Sequence, residues 1–332
     1  MVRNQESPGV VGRLGTPAPA RYRKLSVQRP VDALRDQGFK VKVLKASMTL
    51  LRALADFLPP DPRRGTPGGI VLNLATGVQG EGRLSHVRPC SRWRGSRTPA
   101  PVPSRLAPGG PARAADAARA GLRSRAALAG DHRSGETVDL EFPVSVRPRF
   151  EPDAARIVVR NRKTLRAAVR EIRRHYAQPT LVEQVVRGRR IHASLLGNGT
   201  IECLPLVESG ETEEGKTCPA IIDDLHAERL RESVRKAYAA AGCRDYARID
   251  VRLSTFGEPV VVEIRWVDIF ERRGAFVRAA AEAGYTFPML MRRIVDEAAK
   301  RYLAAAIART ARPAIENEAT VVPLAERRVA AE

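Results

Sequence analysis

The sequence has few cysteines and histidines, and none of them is spaced for a metal site. The four cysteines and five histidines among 332 residues are scattered, with no CxxC pair and no histidine at zinc spacing. We therefore expect reduced thiols and no metal cluster built on imidazole. No apolar run approaches the roughly 18 residues of a membrane span, and MVRNQESPGV lacks the apolar core of a secretory signal. These absences predict a cytoplasmic protein without a membrane partner.

Acidic residues are few, and their deficit is concentrated in one stretch of the chain. The formal net charge is +20, and between Arg88 and Arg133 there are ten arginines, two aspartates and no lysine. This stretch is rich in Ala, Pro and Gly and has no hydrophobic periodicity, so we predict an irregular segment over residues 88–134. A phosphate-binding arm usually mixes lysine with arginine, and Trp93 alone is no stacking platform. Nucleic acid is therefore the least favoured partner.

Residues 1–87 show the succession of helix and strand patterns that is typical of an α/β domain. SVQRPVDALRDQG and SMTLLRALADFL have helical spacing, FKVKVL alternates like a strand, and IVLNLA is a continuous apolar run. A glycine-rich turn, Thr76–Gly82, follows that run, as a ligand loop does at the carboxyl end of a buried strand. We predict a Rossmann-like amino-terminal α/β domain. Its first strand is doubtful, because MVRNQESPGVVG lacks the pattern of a buried strand.

Residues 135–310 combine antiparallel strand patterns with helices, which predicts an α+β region, and residues 311–332 form a tail. Helical spacing covers KTLRAAVREIRRHYA and AERLRESVRKAYAAAG, and two further helices begin near residues 274 and 288. The predicted strands are VDLEFPVSVRP, TLVEQVV, RIHASLLG, IECLPLV, DYARIDVRL and EPVVVEIRW. The last two flank the short turn STFG, so we expect them to pair as an antiparallel hairpin.

Two carboxylates on that predicted hairpin are candidates for a metal site. Asp250 lies in the middle of one strand, and Glu263 ends the apolar run of the next. A short turn between the strands would bring both within reach of one divalent cation, and Mg²⁺ takes carboxylate oxygens together with substrate phosphates. Two isolated acids are more often ordinary surface residues, so this interpretation depends on the neighbouring segments.

Those segments resemble, in order, the ATP-grasp ligases, above all D-alanine–D-alanine ligase and its relatives. The resemblance is carried by FPVSVRP, LVEQVVRGRRIHASLLGNGT, CPAIIDD, AERLRESVRKAYAAAGCRDYARIDVRL and GEPVVVEI, and near the amino terminus by NLATGVQGEGRLSHV. It covers about residues 16–87 and 136–305. The resemblance implies an ATP-grasp fold and the ligation of small amino-acid or peptide substrates. In that chemistry ATP activates a carboxylate as an acyl phosphate, which an amine then attacks.

The resemblance assigns metal-binding and catalytic residues. Asp250 and Glu263 would be the magnesium ligands, and Arg248 would meet phosphate or the developing tetrahedral centre. Glu81, in the Thr76–Gly82 loop, would face the amino-acid substrate. Catalysis of this kind consists mainly of positioning and of neutralising phosphate charge.

The resemblance also assigns ATP-binding residues. Glu183, Gln184, Val185 and Val186 would form the hinge that contacts adenine, mostly through its backbone. Arg147 would contact phosphate in place of the family's lysine, which keeps the charge but changes the geometry. The implied cofactors are ATP and Mg²⁺, and the implied partners are ATP and the small substrates. The sequence makes no prediction of the oligomeric state.

Several positions depart from the family pattern. Arg265 stands where the family has a metal-binding asparagine, and a guanidinium has five donors and no acceptor, so it cannot bind a cation. The loop expected over the phosphates, RFEPDAARIVV, has neither glycine nor serine, and Arg190 stands at the position matched to a ribose-binding glutamate. Strand alternation sends Arg265 to the face of Glu263. Either Arg265 forms a salt bridge with one carboxylate, which we favour, or Asp268 supplies a substitute oxygen.

Two functions stay open on these residues, an impaired ATP-dependent ligase and a pseudoenzyme that has kept the fold without catalysis. Arg265 and the altered loop favour impairment, whereas Asp250, Glu263 and Arg248 favour function. Magnesium and ATP binding distinguish the two.

The irregular segment has an explanation in the genetic code. Reverse translation of the stretch from Val87 to Pro101, shifted by two bases, permits the residues that the family has after its SHV motif. The same two-base shift permits the expected residue at every position of this stretch. We hypothesise that about residues 88–130 are a frameshifted translation from a GC-rich gene. Sequencing of the locus tests this, because an intact frame without a nearby compensating insertion or deletion excludes it.

Overall fold

The computed structural model describes residues 2–3, 24–45, 49–59, 68–72, 129–132, 141–149, 156–176, 179–210, 215–265 and 271–310. Within these ranges the chain is a mixture of helices and strands. The helices are α1 (Lys24–Asp36), α2 (Leu50–Phe57), α3 (Arg162–Tyr176), α4 (Asp224–Ala240), α5 (Ala275–Glu282) and α6 (Phe287–Thr310). The strands are β1 (Val2–Arg3), β2 (Leu44–Lys45), β3 (Ala129–His132), β4 (Val144–Pro148), β5 (Ile157–Val159), β6 (Thr180–Gln184), β7 (Arg189–Leu196), β8 (Glu202–Cys203), β9 (Val207–Ser209), β10 (Lys216–Thr217), β11 (Tyr246–Leu253) and β12 (Pro259–Arg265).

The larger sheet has the strand order β10-β9-β7-β11-β12, with β8 also paired to β7, and all of its pairs are antiparallel. Side chains alternate between its two faces, so apolar residues at every second position form one continuous surface. Helix α4 covers this surface, where Leu230 and Val234 join Ile191 and Ile249 in one buried cluster. The opposite face of the sheet carries polar residues.

Helix α4 has well-defined ends. The Asp223 side chain accepts a hydrogen bond from the backbone N–H of His226 at 3.1 Å, which satisfies one of the free donors of the first turn. Gly242, with φ of +59°, follows the last turn in the left-handed conformation that glycine adopts most readily. The predicted helix and its glycine stop are confirmed.

The smaller sheet has the order β3-β6-β4-β5 and is antiparallel throughout. Helix α3 buries Leu165, Ala168 and Ile172 at helical spacing, and these residues pack with Val146 and Val182 of the sheet. Strand β3 lies within residues 88–134, the range that composition assigns to the irregular segment, and it pairs with β6. The sheet therefore begins before the domain boundary that the sequence suggests.

Helix α1, in the amino-terminal region, packs against helix α6. Val27 and Val31 of α1 share a buried cluster with Leu290 and Ile294 of α6. Strands β1 and β2 pair in parallel through two residues each, so the strand that the sequence left doubtful is present but short. The Rossmann-like arrangement of residues 1–87 stays a prediction. In the described part of the chain no helix has both the length and the apolar composition to cross a membrane.

Several strand predictions differ from the structure. Only the last residue of FKVKVL lies in a strand, since β2 covers Leu44–Lys45, where β1 offers a partner. IVLNLA has an isolated bridge at Ile70, and Val71 and Leu72 are not in a strand. IECLPLV is divided into β8 and β9 by residues 204–206. The break includes Pro205, which has no backbone N–H to donate to a ladder. The two predicted carboxy-terminal helices are confirmed as α5 and α6.

Candidate functional site

Asp250 and Glu263 lie directly opposite each other on the antiparallel strands β11 and β12. The predicted hairpin is therefore confirmed, and both carboxylates point to the polar face of the larger sheet, where they border the same cavity. The strand register shifts between Asp250 and Val251. Such a bulge changes the direction of neighbouring side chains and is common beside functional sites.

Asp250 is held by two neighbouring side chains. Arg248 donates from Nε to Oδ1 at 2.9 Å and from Nη2 to Oδ2 at 3.1 Å. His192, opposite Asp250 on β7, places Nδ1 2.7 Å from Oδ1 and Nε2 2.8 Å from Ser209 Oγ. Both carboxylate oxygens of Asp250 thus have protein partners, and charge-assisted pairs of this kind are among the stronger hydrogen bonds in proteins.

Arg265 lies between the two carboxylates. Its Nη2 donates to Glu263 Oε2 at 3.0 Å, and its Nε lies 3.5 Å from Asp250 Oδ2. Arg156, immediately before β5 of the smaller sheet, donates to the same Glu263 oxygen at 3.2 Å. The predicted salt bridge of Arg265 is confirmed, and it involves both carboxylates instead of one.

The surroundings of Asp250 favour its ionised form. Burial alone raises the pKa of a carboxyl group, because the charged form loses its hydration. Burial does act on Asp250 in this direction, but the charges of Arg248 and Arg265 and the hydrogen bond of His192 outweigh it. The pKa of Asp250 therefore lies well below its usual range, and the group is ionised at neutral pH.

A cavity of about 270 Å³ borders this network. Its polar lining consists of Arg156, Arg190, His192, Asp250, Arg252, Glu263 and Arg265, and we call it the arginine cavity. Burial lowers the pKa of Arg252 first, and the positive charges of Arg190 and Arg156 lower it further. Since Arg156 adjoins the smaller sheet and the other residues belong to the larger one, the cavity lies between the two sheets.

The carboxylate pair does not fit a magnesium ion as it stands. Mg²⁺ requires a nearly octahedral set of oxygen ligands. The guanidinium of Arg265 contacts both Asp250 and Glu263, and it offers no acceptor atom. Among the residues that the structure describes, no group of three or more His, Cys, Asp or Glu side chains could hold a metal ion. Asp250, Glu263 and Arg265 instead form an ion-pair network.

Arg147 and Glu183, which the resemblance assigns to ATP binding, form a buried ion pair. Arg147 on β4 donates from Nε to Glu183 Oε2 at 3.1 Å, and the two residues are 1% and 2% exposed. The Glu183 carboxylate is thereby engaged inside the protein. Arg147 Nη1 is also buried but has no hydrogen-bond partner among the described residues. A buried donor without an acceptor is costly, so this nitrogen fits a ligand oxygen.

The other residues of the predicted hinge lie at the end of β6. Gln184 is paired with Val144, and the backbone N–H of Val185 donates to the Pro143 carbonyl at 3.2 Å. Val186 follows in a half-buried, irregular conformation. The Val185 amide is therefore occupied by the protein, and the adenine-binding role of this segment stays a prediction.

The Thr76–Gly82 loop with Glu81, and Asp268, lie outside the described residues. Conversely, sequence reasoning gave no role to His192 and Arg252. The sequence pattern could have indicated them, because polar residues alternate with apolar ones along both strands. These polar residues are Arg190 and His192 on β7 and Arg248, Asp250 and Arg252 on β11. Polar residues at every second position of a strand share one face.

The chain matches a family model over residues 124–296, more than half of its length, and that family is described as the D-ala D-ala ligase C-terminus. The chain belongs to this family. The match begins before β3, in agreement with the pairing of that strand in the smaller sheet. The resemblance inferred from the sequence is confirmed.

Relatives with similar sequences support the membership. An uncharacterized protein y4sG of Sinorhizobium fredii is 34% identical, and the similarity covers 91% of this chain and 97% of that protein. The D-alanine–D-alanine ligase of Syntrophobacter fumaroxidans is 32% identical over 53% of this chain and 63% of its own length. The chain thus spans nearly the whole length of the uncharacterized relative but less than two thirds of that ligase.

Solved structures share the fold. The D-alanine–D-alanine ligase of Bacillus anthracis complexed with ATP superposes with a TM-score of 0.70 at 14% identity, covering 92% of this chain and 98% of that one. The VanG D-Ala:D-Ser ligase of Enterococcus faecalis gives a TM-score of 0.62 at 14% identity, covering 83% and 96%. The chain therefore has the ATP-grasp fold, a mixed α/β architecture.

Proposed function

We propose that this protein binds ATP between its two sheets and is a carboxylate–amine ligase of the family's type with impaired activity. The nucleotide part of the proposal is supported by the fold shared with a relative that binds ATP. It is also supported by the buried Arg147 Nη1, which lacks an acceptor, and by the arginine-rich cavity at the sheet interface.

The chemistry proposed for the ligase consists of two transfers. A substrate carboxylate oxygen attacks the γ-phosphorus of ATP, the bond to the bridging oxygen breaks, and ADP leaves. The amine nitrogen of a second substrate then attacks the carbonyl carbon of the acyl phosphate, loses a proton, and phosphate leaves. The protein contributes position and positive charge, which stabilise the developing negative charge on phosphate and carbonyl oxygens.

Arg248 is the residue best placed to provide such charge in a fixed orientation. Arg248 is only 8% exposed, and its guanidinium is held by two hydrogen bonds to Asp250. A side chain fixed in this way loses little further freedom when it meets a substrate oxygen. Asp250 thus acts in this proposal as the orienting partner of Arg248.

The position of Arg265 is the observation that carries the proposed impairment. Its guanidinium contacts both carboxylates that the family resemblance assigns to magnesium. A cation approaching them would meet the positive charge of Arg265, whose Nη2 lies 3.0 Å from Glu263 Oε2, and like charges repel strongly in a partly buried site. The limiting case of this impairment is a pseudoenzyme that binds nucleotide without turnover.

ADP release in the presence of Mg-ATP and D-alanine tests the proposal. We expect little or no D-alanine-dependent release from the wild-type protein, and an increase of at least tenfold in Arg265→Asn. Arg265→Asn should also raise the affinity for Mg-ATP, because an amide oxygen replaces the guanidinium. Asp268→Ala should change neither quantity.

Two outcomes would contradict the proposal. Amino-acid-dependent turnover by the wild type that Asp268→Ala abolishes would identify Asp268 as a substitute ligand and exclude impairment. Failure of the wild type to bind ATP, measured by titration calorimetry, would remove the nucleotide part. Arg229→Asn is the matched control, since Arg229 is an exposed arginine of α4, on the far side of the sheet.

A further inference from the structure

The arginine cavity has a surplus of positive charge. Arg156, Arg190, Arg252 and Arg265 line it, and among the residues that the structure describes only two carboxylates, Asp250 and Glu263, belong to its lining. The fifth arginine of the network, Arg248, is directed at Asp250. Five guanidinium groups thus face two carboxylates, and uncompensated charge around a concave site attracts anions.

The surplus is concentrated at one end of the cavity. Arg190 and Arg252 lie opposite each other on β7 and β11, and the side chain of Arg190 has no hydrogen-bond or ion-pair partner among the described residues. Arg252 donates from Nη1 to the Gly188 carbonyl at 3.0 Å, which satisfies a donor but neutralises no charge. The positive charges of Arg156, Arg190 and Arg252 border one cavity, so they repel each other. A bound anion would relieve this repulsion.

The other end of the cavity already holds a positive charge between the carboxylates. Arg265 bridges Asp250 and Glu263, and Arg156 donates to the same Glu263 oxygen as Arg265. A guanidinium binds phosphate oxygens through parallel hydrogen bonds, and the guanidinium of Arg156 lines the cavity at this end. Arg265 therefore places a positive charge between the two carboxylates, where a divalent cation would otherwise supply one.

We propose that the arginine cavity binds the phosphate groups of its ligand directly through guanidinium side chains, without a divalent cation. The inference rests on the proposed function for the identity of the ligand as ATP, but the phosphate chemistry does not depend on it. Inorganic tripolyphosphate carries the same groups without adenine. Comparing the two ligands separates the phosphate site from the nucleotide site.

Titration calorimetry of the full-length protein with ATP, in EDTA and in excess MgCl₂, tests the proposal. We expect ATP to bind in EDTA and its dissociation constant to be equal or higher in MgCl₂, because magnesium neutralises the phosphate charge that the arginines recognise. Tightening of ATP binding by more than threefold in MgCl₂ would overturn the inference and leave the proposed ATP binding intact. No ATP binding in either buffer, with tripolyphosphate still bound in EDTA, would remove the proposed function and keep the phosphate site. No binding of either ligand would overturn both.

Single substitutions in the cavity locate the binding site. Arg190→Gln and Arg252→Gln should each weaken binding of ATP and tripolyphosphate in EDTA by about tenfold, the usual effect of losing a hydrogen bond to a charged group. Arg229→Gln, which removes the same charge from the far side of the sheet, should change affinity by less than twofold. Equal weakening by all three variants would show only a general charge effect and would overturn the assignment to the cavity.

Arg265→Asn provides a test with the opposite sign. It removes the built-in positive charge, so binding in EDTA should weaken and binding in MgCl₂ should strengthen, giving an at least tenfold preference for magnesium that the wild type lacks. An unchanged ratio of the two dissociation constants would contradict the role given to Arg265. Thermal melting of each variant checks that it is folded. The comparison of ATP binding by the wild type in EDTA and in MgCl₂ tests the proposal even if a variant fails to fold.

Discussion

Arg147 and Glu183 form an ion pair across neighbouring strands with an Nε to Oε2 distance of 3.1 Å, and water reaches almost no part of either side chain. Removing one partner of a buried pair leaves the other charged and unpaired, which is more costly than losing the pair as a whole. We predict that Glu183→Gln lowers the free energy of unfolding by about 3 to 5 kcal/mol. Urea denaturation measures this change.

Two variants control that prediction. The double substitution Arg147→Met and Glu183→Leu removes both charges, so it should recover most of the loss seen in Glu183→Gln. Glu232→Gln breaks the solvent-exposed pair of Glu232 with Lys236, and should leave the free energy of unfolding almost unchanged. A loss in Glu183→Gln no larger than that in Glu232→Gln would show that the buried pair has no special weight.

Asp250 gives stability a definite pH dependence. Its pKa is lowered in the folded protein, so its contribution is complete above the unfolded value of about 4 and is lost as the pH falls from there through the folded value. We predict that Asp250→Asn costs about 3 kcal/mol at pH 7, because it leaves Arg248 without its counter-charge. The difference from wild type should be constant between about pH 6 and 8 and should narrow below about pH 4.

Urea denaturation across this pH range provides the measurement, and Asp36→Asn provides the comparison. Asp36 is an exposed acid at the end of α1, so its replacement should change stability by less than about 0.5 kcal/mol at any of these pH values. A constant gap between Asp250→Asn and wild type down to pH 3 would mean that the network does not favour the ionised carboxylate.

The turn that joins β11 and β12 depends on a glycine. Gly257 has φ of +74°, and a Cβ atom there would overlap the imidazole ring of His226. Gly38 has φ of +83° with open space around the same position. We predict that Gly38→Ala costs about 1 kcal/mol from backbone strain alone, and that Gly257→Ala costs about 2 to 4 kcal/mol because the clash is added. Equal losses in the two variants, measured by thermal or urea unfolding, would exclude a contribution from the contact with His226.

The opposed carboxylates could be predicted from the sequence, because the information for them is local. Asp250 and Glu263 belong to two alternating segments joined by a short turn, and a hairpin of that length fixes which residues face each other. The position of Arg265 followed from the same alternation. Membership of the family was also accessible, since the similarity is spread over several long segments.

Contacts between the two sheets could not be predicted in this way. Arg156 meets Glu263 across 107 residues of sequence, and no local period indicates that their strands approach each other. FKVKVL shows the opposite limit. Its alternation is that of a strand, but of its six residues only Leu44 pairs with a neighbouring strand. A pattern predicts a strand only where the fold provides a neighbouring one.

The alternation of apolar and polar side chains along β7, β11 and β12 also affects which substitutions this protein can tolerate during evolution. Residues that hold the sheet to α4, such as Ile191 and Ile249, are interleaved with residues of the polar face, such as His192 and Asp250. A substitution at one set leaves the other set untouched, because the two point in opposite directions. Residues of the cavity can therefore be substituted one at a time while the packing of the sheet against α4 is kept, and Arg265, which the family resemblance matches to an asparagine, would be one such position.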